Sequence, residues 1–191
     1  MNEFMPGEFG PVFAALLKGD RCRALDAGQP DKSARVSLEQ ATLNAAFAHA
    51  KVVDRDMALC CLVGAWLVYD FLDESHTISQ GIETGSGSFW HGVMHRREGD
   101  FSNAKYWFRR VGSHDVLEQL GQHVVALGAD ASARALAERI APKGQFDPYA
   151  MVDACQAAIR QGGAAEAFCR RVQQAEWELL FAHCYRGAVG E

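Results

Sequence analysis

Apolar positions along this chain recur at helical spacing, and no stretch alternates long enough to make a convincing strand. Phe9 to Leu17 reads as a short helix with Pro11 in its first turn, closed by Gly19-Asp20. A loop follows from Cys22 to Lys32. Ser37 and Gln40 form a capping-box pattern, so a helix is expected from Ser37 to about Ala50. Asp54 or Asp56 then caps a long helix to about Leu72. That helix is apolar almost all round (Leu59, Leu62, Val63, Trp66, Leu67, Tyr69, Phe71), the mark of a buried central element.

Glu83 to Ser88 reads as a flexible Gly/Ser break between chain halves, a connector or a loop over a site. Ser88 is expected to cap a helix from Phe89 to Arg97. Gly99-Asp100 turns the chain into a second helix, Phe101 to Val111, closed by Gly112. Asp115 to Leu127 and Ala131 to Ile140 read as two more. Asp147-Pro148 starts a helix to about Gln161, and after Gly162-Gly163 the last helix runs from Ala164 to about Tyr185. The fold class is therefore all-α, a single-domain helical bundle of about eight helices over residues 1–191 with a helical hairpin in the middle.

Composition narrows the function classes. With 191 residues, 49% of them hydrophobic, the chain can bury one real core. The net charge of −5 argues against a general nucleic-acid partner. The longest apolar run, near Met57 to Val68, is too short for a membrane span. Met1-Asn2-Glu3-Phe4 shows no basic leader pattern. Six cysteines without a CxxC pair suit free thiols in a reducing cytoplasm.

Ser75 to His114 is chemically denser than the rest. It holds His76, His91, His95 and His114, four of the seven histidines, together with Trp90, Tyr106 and Trp107. From His91 to Arg110 five basic residues (Arg96, Arg97, Lys105, Arg109, Arg110) face two acidic ones (Glu98, Asp100). On a helix His91, His95 and Glu98 share one face. Imidazoles at i, i+4 can bind one divalent metal. Glu98 one turn on, and His76 from the preceding helix end with Asp73 to orient it, would complete a site with an open position. The metal donors expected are thus His76, His91, His95 and Glu98. The same segment supports a metal-free reading, in which Arg96, Arg97 and Arg109 hold an anionic small molecule. There Trp90, Tyr106 and Trp107 serve as walls, and His76 or His95 supplies acid-base chemistry, for instance for hydrolysis. Each of these residues also has a plainer role open to it, in the core or in a surface ion pair. No HExxH, GxSxG, phosphate loop or GxGxxG motif is present.

Gly92, Gly99-Asp100-Phe101, Ala104, Phe108 and Val111 resemble one tetratricopeptide-type helix pair over roughly thirty residues. That resemblance implies a non-catalytic adaptor surface as the competing function. More of the chain, from Ala58 onward, resembles an uncharacterised family of bacterial and fungal proteins. The residues that carry it are Ser75-His76-Thr77-Ile78-Ser79-Gln80, Phe89-Trp90-His91-Gly92-Val93-Met94-His95-Arg96-Arg97-Glu98 and Asn103-Ala104-Lys105-Tyr106-Trp107-Phe108-Arg109-Arg110-Val111-Gly112. Phe146-Asp147-Pro148 and Glu176-Trp177-Glu178-Leu179-Leu180-Phe181 extend it. This second resemblance implies one domain and carries no activity.

Overall fold

Helices make up the regular structure of the computed structural model, which describes residues 4–129 and 131–191. Residues 1–3, read above for a leader, lie outside the described residues. After a 3-10 turn at Pro6–Phe9 come α1 (Gly10–Leu16), α2 (Arg35–Gln40), α3 (Leu43–Ala46) and α4 (Arg55–Val68). Then follow α5 (Leu72–Ser79), α6 (Gly85–Glu98), α7 (Phe101–Val111), α8 (Asp115–Leu127) and α9 (Ala131–Ile140). A second 3-10 turn at Pro142–Gly144 leads to α10 (Pro148–Gln161) and α11 (Gly163–Val189). No helix among the described residues is long and apolar enough to cross a membrane. The six cysteines carry free thiols.

The caps explain where helices start. Asp54 accepts the amides of Asp56 and Met57 at 2.9 and 3.0 Å, and Asp147 accepts those of Tyr149 and Ala150 at 2.8 and 3.1 Å. The expected Ser37–Ala50 helix is instead two short ones. It starts at Arg35 with Ser37 inside it, and Thr42, extended at ψ 161°, caps α3 through Ala45. The long central helix also stops early. Asp70 adopts a left-handed φ of 64°, which few non-glycine residues take, and the chain restarts as α5.

The larger departure is at Glu83–Ser88. Gly85 to Ser88 form the first turn of α6, with Thr84 as its cap accepting the amide of Gly87 at 3.1 Å. Ser86 and Ser88 are buried. A Cβ on Gly87 would stand 2.4 Å from the Ile82 carbonyl, so glycine is demanded by close packing rather than by mobility.

α4, α6 and α11 occupy the middle of the core. α6 is buried from Ser86 to Arg97, and Trp177 of α11 donates its indole N–H to the Gly64 carbonyl of α4 at 3.0 Å. α6 packs against α4, α5 and α7. Its link to α7 is a tight hairpin. Gly99 is left-handed at φ 89°, and Asp100 caps α7 through the Asn103 amide at 3.0 Å. This antiparallel register sets Phe108 beside Phe89 (5.6 Å), Trp107 beside His91 (3.8 Å) and Asn103 beside His95.

Candidate metal centre

Two helices bring three histidines together. α6 carries His91 and His95 one turn apart, and α5 carries His76 across from both. Ring centroids stand 4.8 Å apart for His76–His91, 4.8 Å for His91–His95 and 5.3 Å for His76–His95. One donor atom from each lies within 4.8 Å of the others. Around zinc, at bond lengths of about 2.0–2.1 Å, tetrahedral nitrogens sit about 3.4 Å apart. The donors thus stand up to about 1.4 Å farther apart than the nitrogens of a tetrahedral zinc site.

The outer ring nitrogens are engaged in the manner a metal site requires. Glu98 Oε2 accepts from His95 Nδ1 at 3.0 Å, which makes Nε2 the unprotonated ring nitrogen. The Asn103 amide nitrogen is 3.0 Å from Nε2 and 3.5 Å from Nδ1. With Nδ1 donating to Glu98, Nε2 is the acceptor for the Asn103 amide, and a metal at Nε2 would have to displace that contact. Ser79 donates its hydroxyl proton to the His76 carbonyl at 3.2 Å, so towards His91 Nδ1, at 3.4 Å, it acts as a long-range acceptor. Again Nε2 is left as the donor. Trp107 covers one face of His91, stacked at 14° between planes.

His91 and His95 are buried, and His76 is half-buried. Burial, reinforced by neighbouring His95 and His76, pulls the His91 pKa down to about 4. Burial lowers that of His95 as well, with Glu98 opposing. At neutral pH both rings are thus unprotonated, the form that ligates metals.

Glu98, expected as a further metal donor, does not join the triad. Its half-exposed side chain bonds the outer nitrogen of His95 and lies outside the cluster of three histidines. Asp73 was expected to orient His76, but its carboxylate makes no hydrogen bond to that ring among the described residues. Its carbonyl accepts from Thr77.

The arginine reading needs correction. Arg96 is fully buried, pairing with Glu176 of α11 through both terminal nitrogens and reaching Gln173. Burial works against its charge, and Glu176 more than restores it, so the guanidinium stays protonated. Arg97 is buried too. It pairs with Asp70, caps α4 by donating to the Leu67 carbonyl at 2.9 Å, and holds the Asp26 carbonyl at 3.1 Å. Asp70 also takes Arg23, which accounts for the early stop of α4. Both arginines are consumed by acids distant in sequence and offer an external anion nothing. Trp90 is no wall either: it lies in the core against Trp177 and Gly64. Arg109 and Tyr106 are exposed, and of the three expected walls only Trp107 touches the histidines.

Sequence reasoning passed over Ser79 and Asn103. Both were readable in principle: Ser79 is one turn beyond His76, and a turn at Gly99-Asp100 puts position 103 beside 95. Elsewhere, a hollow of about 580 Å³ between α9, α10 and α11 is lined by alanines with Leu136 and Phe168, and includes none of these histidines.

Searches of protein-family models, curated proteins and solved structures found no match to this chain.

Proposed function

We propose that this protein binds a divalent transition-metal ion through His76, His91 and His95, leaving at least one coordination position open. The carrying observation is the convergence of three imidazole donors from two helices within 4.8 Å. The engaged Nδ1 atoms of His91 and His95 support it. Three nitrogen donors without a carboxylate suit zinc, copper or nickel, and not calcium or magnesium. An ion so held acts as a Lewis acid and brings the pKa of a bound water towards neutrality, which makes metal-assisted hydrolysis the reaction class that fits.

The competing adaptor reading places the histidines dispersed over a convex or grooved surface. Their convergence, two of them buried, favours the metal reading over it. The test is metal analysis of the purified protein and of its His76→Ala, His91→Ala and His95→Ala variants, each checked for helicity by circular dichroism. About one equivalent of metal is expected in the parent protein. Folded variants should lose it, and equal metal content in all four proteins would reject the proposal.

A further inference from the structure

Building on the metal reading above, we infer that Asn103 is a latch on the site: its side-chain amide holds His95 Nε2 in the metal-free protein, and an ion enters only as that amide lets go. A neutral imidazole has one N–H and one lone pair. Glu98 takes the N–H of His95 at Nδ1, so the lone pair is at Nε2, and the Asn103 amide nitrogen stands 3.0 Å from it. The ion and the amide need the same electron pair, so they exclude each other at this ring. The other two rings are not held in this way. Ser79 reaches His91 only at Nδ1, at 3.4 Å, and the His76 ring makes no hydrogen bond among the described residues.

The backbone anchors both sides of this contact. Asn103 belongs to the first turn of α7, where its backbone amide donates to the Asp100 carboxylate at 3.0 Å. Asp100 donates its own amide to the His95 carbonyl at 3.0 Å, across the turn at left-handed Gly99. Release therefore falls to the half-buried Asn103 side chain, not to a movement of the helix. The two partners of His95 then act on an ion with opposite sign. Glu98 fixes the tautomer that presents Nε2 and favours binding. Asn103 stabilises the empty site, and giving up one hydrogen bond of ordinary strength weakens binding about three- to tenfold.

Zinc affinity at neutral pH, measured by competition against a chromophoric chelator, provides the test in the parent, Asn103→Ala and Asn103→Leu, with helicity checked by circular dichroism. Both variants should bind zinc about three- to tenfold more tightly than the parent. A residue that merely braced His95 would give the opposite sign on removal. A second readout uses the parent alone and decides the matter if the variants lose helicity. In its nitrogen–proton NMR spectrum the Asn103 side-chain amide signals should move on zinc saturation, as the imidazole acceptor is lost. If zinc binds the parent through the histidines but folded variants bind it equally or more weakly, or the Asn103 amide signals stay in place, the inference falls and the metal reading stands. If the parent binds no zinc, both fall.

Discussion

The indole of Trp107 lies flat on the imidazole of His91, with 3.8 Å between ring centroids. One residue comes from the hairpin's second helix and the other from its first, so the α6–α7 register decides how firmly a metal ligand is held. A metal at His91 Nε2 should therefore be sensed by Trp107. Adding Cu²⁺ or Ni²⁺ is expected to quench tryptophan fluorescence, and Trp107→Phe should remove most of the change. Trp66, Trp90 and Trp177 are expected to contribute less, since Trp107 is the one that stacks on a histidine of the cluster. Undiminished quenching in Trp107→Phe would place the metal elsewhere.

Glu98 tests the outer layer of the site. Its side chain is half exposed and, among the described residues, bonds His95 Nδ1 alone. Glu98→Gln should leave stability nearly unchanged while weakening metal affinity by about 10–100-fold, as the loss of a carboxylate behind a ligating histidine does. Competition against a chromophoric zinc chelator measures it. An unchanged affinity would mean that His95 does not ligate through Nε2.

Acid should destabilise the metal-free protein over a defined window. His91 and His114 both have pKa values near 4 in the fold, chiefly from burial. Their unfolded value is about 6.5. Above pH 6.5 both states are neutral and these groups contribute no pH dependence. Between 6.5 and about 4 the unfolded chain takes up protons that the fold refuses, so stability falls as pH falls. The urea midpoint should be lower at pH 5 than at pH 7.5, and the drop should shrink in His91→Gln. A midpoint that rises on acidification, or an equal drop in the variant, contradicts this assignment.

Arg96 and Glu176 form a buried pair, and removing one partner leaves an unopposed charge in the core. Arg96→Ala and Glu176→Ala should each cost about 3–5 kcal/mol in denaturant unfolding, and Arg96→Met with Glu176→Leu together much less than the two single losses combined. A mild effect of Arg96→Ala would undo the structural role assigned to this arginine.

Local rules made much of this molecule readable. α7, α8 and α9 span the residues their hydrophobic spacing indicates, and Asp100 and His114 cap the first two, because helix ends answer to neighbours in the chain. The His91/His95 pair on one face follows from 3.6 residues per turn, and His76 stands within 4.8 Å of it. The errors fall where a distant partner overrides local preference. Gly85-Ser86-Gly87-Ser88 looks like a linker, yet it is helical because Ile82 packs against it. Arg96 and Arg97 looked like free cations, since Glu176 and Asp70 are far off in sequence.

From its residues alone, then, the chain determines an all-helical architecture and a hairpin dense in histidine and aromatic groups, both consequences of periodicity and turn chemistry. Only the tertiary structure decides which of those groups share a space. The packing of α5 and α7 against α6 joins three imidazoles and lays Trp107 against one of them. The same packing turns two adjacent arginines inward, because an uncompensated buried charge is intolerable and its compensating acids arrive from other parts of the fold.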